Sequence, residues 1–263
     1  MVKSPINRIQ GLFQKERQDI LSIFFTAGYP QKEDTRAIIR ELDQAGVDMI
    51  EIGMPYSDPI ADGSTIQQAS TIALNNGMSI PYLFEQLAGI REITDIPLLL
   101  MGYINPVLQY GLEKFLAKAA ELGMDGLILP DLPMTVYERE YQQLFQQHGL
   151  SNVFLVTPQT SESRIRKIDD LSDSFIYVVS SASTTGKQEG FGETHGAYFQ
   201  RIAEMKLKNP CIVGFGISNH QSYMRANHAL DGAIIGSAFI KAIGAGEKLE
   251  ESIPAFVHHI RQP

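Results

Sequence analysis

Ala45-Gly46-Val47-Asp48-Met49-Ile50-Glu51-Ile52-Gly53 closes a segment of helical period and opens a run that is apolar at nearly every position. A strand that covers a core on one face alternates apolar and polar residues, whereas a run such as 47–52 suits a strand buried on both faces of a parallel sheet. Gly46 fits a helix C-cap, which needs positive φ, and Asp48 stands at the strand start. The same junction recurs as Leu122-Gly123-Met124-Asp125 and, less completely, as Ala229-Leu230-Asp231-Gly232. Asp48, Asp125 and Asp231 therefore read as structural residues.

Eight such runs are spaced along the chain, at 20–26, 47–52, 97–101, 126–129, 152–157, 175–179, 211–214 and 232–235. Segments of helical period fill the intervals: 33–45, 64–76, 80–93, 112–122, 136–148, 162–171, 194–208, 220–227 and 246–260. The second run is thus followed by two helices, and Ile6, Ile9, Leu12 and Phe13 predict another before the first run. No linker or shift of composition divides the 263 residues, which predicts a single domain over 1–263. Eight βα units can lie open as a doubly wound sheet or close into a barrel, and their number and the chain length favour closure. The expected fold is α/β, a single (β/α)8 TIM barrel with an extra N-terminal helix and an additional helix after strand 2. Catalytic groups then belong at the C-terminal ends of the strands.

Composition removes several classes of function. With 22 Lys plus Arg against 30 Asp plus Glu the net charge is −8, so there is no basic surface for nucleic acid. The hydrophobic share of 44% with 20% charged residues is that of a folded globular chain. The longest apolar stretch, 96–104, is interrupted by Pro97 and Gly102 and falls short of the ~20 residues of a membrane helix. The N-terminus lacks the apolar core of a signal peptide, and the lone cysteine, Cys211, permits no intrachain disulfide, so a cytoplasmic protein is expected. Cys211 reads as a small core residue. The six histidines show no metal-ligand spacing, and no metal is expected.

Against this background Glu51 stands out as a carboxylate near the end of an apolar strand. Burial there would raise its pKa and suit it to general acid–base work near neutral pH. The following loop, 53–64, adds Asp58 and Asp62, which on their own fit turns or a helix cap. Gly214-Phe215-Gly216 after run seven and Gly236-Ser237-Ala238 after run eight match the places where barrels hold phosphate through backbone N–H groups. The polar, glycine-rich loop 180–192 suits a lid. It is not a Walker loop, and Gly214-Phe215-Gly216 is not a dinucleotide fingerprint, since Asn219 occupies the third glycine position.

Together these segments resemble the tryptophan synthase alpha chain family over nearly the whole length. The most specific is Glu51-Ile52-Gly53-Met54-Pro55-Tyr56-Ser57-Asp58-Pro59-Ile60-Ala61-Asp62-Gly63-Ser64-Thr65-Ile66-Gln67. Phe24-Phe25-Thr26-Ala27-Gly28-Tyr29-Pro30, Met101-Gly102-Tyr103-Ile104-Asn105-Pro106 and Pro130-Asp131-Leu132-Pro133 support it, with Phe175-Ile176-Tyr177 and the two phosphate loops. The resemblance implies retro-aldol cleavage of indole-3-glycerol phosphate to indole and glyceraldehyde 3-phosphate, without a cofactor. It implies that Glu51 is the acid–base group and that Asp62 binds the indole N–H. Phe24 and Tyr177 would line the substrate pocket, Thr185 would close the lid onto Asp62, and Gly186, Phe215, Gly216, Gly236 and Ser237 would hold phosphate. It further implies a pyridoxal-phosphate-dependent beta chain as partner in an α2β2 heterotetramer, touched by Pro55 and Asp58. The lid departs from the common family pattern Ser-Arg-x-Gly-Val-Thr-Gly, reading Ser180-Ser181-Ala182-Ser183-Thr184-Thr185-Gly186. Competing readings are a free-standing indole-3-glycerol-phosphate lyase, another phosphate-binding barrel enzyme, and a barrel kept as a non-catalytic allosteric partner. Indole release discriminates among them.

Overall fold

All seven residues of β1 (Ile20–Thr26) and all five of β2 (Met49–Gly53) are buried, as strands covered on both faces must be. The computed structural model describes residues 7–14, 19–179, 193–214 and 216–263, and of 193–195 the backbone alone. The remaining strands are β3 (Leu98–Met101), β4 (Gly126–Ile128), β5 (Ser151–Val156), β6 (Ile176–Val179), β7 (Cys211–Gly214) and β8 (Gly232–Ile235). Each pairs in parallel with the next, and β8 returns to β1 through Ile20↔Gly232 to Ile23↔Ile235. The sheet is therefore closed, and the doubly wound alternative is excluded.

The helices are α1 (Arg8–Phe13), α2 (Thr35–Gln44), α3 (Ser64–Asn75), α4 (Ile80–Leu87), α5 (Ile104–Tyr110), α6 (Leu112–Glu121) and α7 (Met134–Val136). After a π turn over Tyr137–Tyr141 come α8 (Gln142–Gln147), α9 (Glu162–Leu171), α10 (Glu193–Glu204), α11 (His220–Ala229), α12 (Ser237–Ile243) and α13 (Leu249–Arg261). The predicted N-terminal helix and the second helix after β2 are both present. The single helix expected over 80–93 is divided instead, because Gly89 takes φ +68° and only a 3-10 turn, Ile90–Glu92, follows. Sequence periodicity also misses α5 and α12. Both have seven residues, too few to display a 3.6-residue repeat, and α5 carries Pro106 near its start.

The recurring junctions have one physical purpose. Asp48 Oδ2 accepts from Leu21 N at 2.9 Å, Asp125 Oδ2 from Leu98 N at 2.9 Å, and Asp231 Oδ2 from Cys211 N at 2.7 Å. Each aspartate at the mouth of an even strand thus fixes the first amides of the preceding odd strand. Arg261 bridges to Asp48, while Arg8 and Arg91 bridge to Asp125, so these buried carboxylates are charge-paired. Gly46 and Gly123 take φ of +81° and +77°, as the C-caps require.

Alternate residues of each strand enter two separate cores. Ile20, Phe24, Met49, Leu99, Ile128, Tyr177, Ile212 and Ile234 fill the barrel interior, while Leu21, Ile23, Phe25, Ile50 and Ile52 pack outward with Ile38, Leu42 and Phe84 of the helices. Ile9 and Leu12 of α1 join the interior cluster. Asn7 and Gln10 donate to the carbonyls of Asp125, Gly149 and Asp173, which lie just before β4, β5 and β6. Helix α1 therefore covers the N-terminal end of the barrel, and chemistry is left to the C-terminal end.

Candidate active site

Glu51 is the third residue of β2, registered against Phe24 of β1 and Leu99 of β3, and it has no solvent exposure. Burial raises its pKa from an ordinary 4.5 to about 8, opposed only by a hydrogen bond from Ser22 Oγ to Oε1 at 2.9 Å. At neutral pH the carboxyl is mostly protonated and can act as an acid. Its Oε2 accepts no hydrogen bond from the described residues.

The loop that follows carries Asp62 back over the barrel mouth. Ala61 N donates to Tyr103 Oη at 2.9 Å, and Tyr103 Oη donates to Asp62 Oδ2 at 3.1 Å. Burial lifts Asp62 from 3.8 to about 6, against the lowering effect of Tyr103. The shift arises because the loop folds inward under Tyr103 rather than into solvent, yet Asp62 remains mostly ionised at pH 7. Asp62 caps nothing: the N-cap of α3 is Gly63. Tyr103→Phe should raise the Asp62 midpoint further above 6, measured by carboxyl-carbon NMR, and an unmoved midpoint would remove Tyr103 from this role.

Asp62 lines a cleft together with Phe24, Thr26, Met54, Met101 and Tyr103. A Cβ on Gly53 would lie 2.6 Å from the Phe24 ring, and one on Gly236 would lie 3.2 Å from it. Phe24 thus joins the strand end beyond Glu51 to the glycine loop beyond β8. Tyr177 packs across Gly214 in the same way, with no room there for a side chain. Burial holds the Tyr177 phenol protonated, reinforced by the Glu51 and Asp62 carboxyls within its electrostatic reach. Gly216, at φ +77°, and Ser237, first residue of α12, are exposed at the ends of β7 and β8. Thr185, Gly186, Phe215 and the proposed lid 180–192 lie outside the described residues.

The apolar residues of the loop are mostly covered. Met54 is buried, its N–H donating to Met101 O at 2.7 Å, and Tyr56 is partly buried against Tyr103 with ring centroids 5.1 Å apart. Pro55 is partly buried and Asp58 exposed, leaving Ile60, 85% exposed, as the uncovered apolar side chain among these. Sequence reasoning passed over Ser22 and Tyr103 as functional groups. A hydroxyl in the middle of an apolar run was a signal for Ser22, whereas Tyr103 stood out only within the segment 101–106 that carries the resemblance. Burial pushes the Cys211 thiol up to about 12, which fits a core residue. Among the described residues no cluster of His, Cys, Asp or Glu could hold a metal, and no helix is long and apolar enough to cross a membrane.

A sequence model of the tryptophan synthase alpha chain matches residues 11–261. The tryptophan synthase alpha chain of Flavobacterium johnsoniae is 56% identical over 256 residues, covering 97% of this chain and all of that one. The crystal structure of that alpha chain from Legionella pneumophila superposes with a TM-score of 0.86 at 31% identity, covering 98% of this chain and 97% of the other. A chain of the tryptophan synthase complex from Pyrococcus furiosus does so with a TM-score of 0.83 at 32% identity, covering 93% and 98%.

Proposed function

Because the chain belongs to the tryptophan synthase alpha chain family, we propose that Glu51, Asp62 and the cleft that Asp62 lines are the machinery of its reaction. The chain is a lyase that cleaves indole-3-glycerol phosphate to indole and glyceraldehyde 3-phosphate by a retro-aldol step. Indole is a poor carbanion leaving group until its C3 carries a proton. Glu51, protonated at neutral pH, delivers that proton, and the ring becomes a cation with its charge shared by N1. Ionised Asp62 accepts the N1–H and stabilises that charge. The carboxylate left on Glu51 then takes the proton of the glycerol hydroxyl. The bond between C3 and the glycerol carbon breaks, its electrons return to the ring, and the aldehyde forms. One carboxyl group therefore moves one proton from hydroxyl to C3 and ends as it began.

The observation that carries this reading is the pair of carboxyls in unlike surroundings, Glu51 fully buried in β2 with Ser22 as its donor and Asp62 lining the cleft under Tyr103; burial raises the first to about 8 and the second to about 6, which divides acid from anion near pH 7. Phe24 and Tyr177 supply the walls for indole. The test is indole release from indole-3-glycerol phosphate by the purified chain, whose lack of Trp leaves a low fluorescence background. Absence of indole, with and without partner, would overturn the reading.

For the phosphate we propose the backbone amides of Gly186, Phe215, Gly216 and Gly236 with the Ser237 hydroxyl, and closure by Thr185 over Asp62. The support is the position of Gly216 just beyond β7 and of Ser237 beyond β8, where it opens α12. Ser237→Asp places a negative charge there and should weaken binding of glyceraldehyde 3-phosphate about tenfold or more by calorimetry. Unchanged affinity would place the phosphate elsewhere.

As an alpha chain this protein pairs with a beta chain. We further propose that the beta chain is the pyridoxal-phosphate enzyme that consumes the indole, that the assembly is α2β2, and that Pro55 and Asp58 meet it. A single domain over 1–263 and a cytoplasmic location complete the proposal, the latter supported by the lone buried thiol.

A further inference from the structure

We propose that Ser22 is a positioning residue for Glu51: its hydroxyl holds Oε1, so that Oε2 is the oxygen that carries and transfers the proton. This rests on the acid–base reading of Glu51. Ser22 and Glu51 are both completely buried, and the Ser22 Oγ–Glu51 Oε1 distance is 2.9 Å. Along β1, Ile20 and Phe24 face the barrel interior, and alternation puts Ser22 between them on the same face. Its register partners are Met49 on β2 and Ile234 on β8, both apolar. A hydroxyl in such surroundings is costly without a partner, and an aliphatic side chain would satisfy the packing. Its partner is the carboxyl group that moves the proton in the reaction.

The contact also acts on the two forms of Glu51 unequally. A hydroxyl donor stabilises the ionised carboxyl more than the neutral one, so Ser22 restrains the rise that burial imposes. In the neutral form Oε1 remains the acceptor, which leaves the proton on Oε2. Among the described residues no cation offsets the burial of Glu51. Facing it are apolar Phe24 and Leu99 from the flanking strands, and the titratable Tyr177 of β6, which also feels Asp62. Burial holds the Tyr177 phenol neutral, so it brings no charge to Glu51 at neutral pH.

The experiment follows the Glu51 carboxyl by isotope-edited infrared titration of the full chain, its band identified by loss in Glu51→Gln. In Ser22→Ala the midpoint should rise by roughly one pH unit. Ser22→Cys, which fills the same space with a weak donor, should shift it in the same direction, so a poorly folded Ala variant does not remove the test. Ser22→Thr keeps the hydroxyl and should hold the parent midpoint. In indole release kcat should fall about tenfold with KM little changed, and the Glu51-dependent limb of the pH profile should move with the infrared midpoint. A midpoint unmoved in both Ala and Cys variants would overturn the role of Ser22 and leave that of Glu51 intact. A shifted midpoint in a chain whose Glu51→Gln variant still turns over would overturn the acid–base reading beneath it.

Discussion

Glu51→Gln is expected to fold and to lose turnover by ~10²–10⁴, the contribution of a positioned general acid–base group. Gln preserves the size of the side chain and can still accept from Ser22, so binding survives and kcat falls. The variant has a second, opposite signature. In the parent the folded state keeps a proton on Glu51 up to about pH 8, whereas an ordinary carboxyl releases it near 4.5. Between those values the folded chain binds more protons than the unfolded one, so this group makes stability fall as pH rises, by at most about 1.4 kcal/mol per pH unit. Glu51→Gln removes that slope and should be more stable than the parent at pH 9 while nearly inactive. Denaturant titrations at pH 5 and pH 9 measure it; parallel losses of stability and activity at both would mean that Glu51 supports the strand rather than the reaction.

Saturation with the cognate beta chain is expected to raise indole formation by much more than tenfold, at least ~1.4 kcal/mol in barrier. The loop between β2 and α3 has two sides. Its outer side carries exposed Asp58 and Ile60, and a few residues on, Asp62 lines the cleft and accepts from Tyr103. Gln67 ties the same segment together from α3, donating to the carbonyls of Pro59 and Asp62. A partner that covers Ile60 and pairs with Asp58 acts on a short connected path to Asp62. Rates with and without the beta chain give the measurement, and Ile60→Asp should reduce the activation while leaving the lone chain's basal rate unchanged. A fast lone chain, indifferent to the partner, would mark a free-standing lyase.

Much of the fold is legible in the order of the residues alone. β1, β7 and β8 begin and end where their apolar runs do, and the three junction aspartates fix strand amides. Glu51 can be singled out because a carboxylate in an apolar run contradicts its surroundings. The short helices α5 and α12 leave no such trace, since seven residues hold less than two full repeats of the pattern that reveals a helix.

What the sequence determined by itself is what neighbouring residues encode: strand runs buried on both faces, helical intervals, capping glycines and the presence of one anomalous carboxyl group. Closure of β8 onto β1 was decided by the tertiary structure, because that pairing joins the two ends of the chain. So were the environments of the two carboxyls. Ser22 meets Glu51 across 29 residues and Tyr103 meets Asp62 across 41. A pKa depends on which atoms exclude water and which donors remain within reach, and both are set by residues that are close only after the barrel has closed.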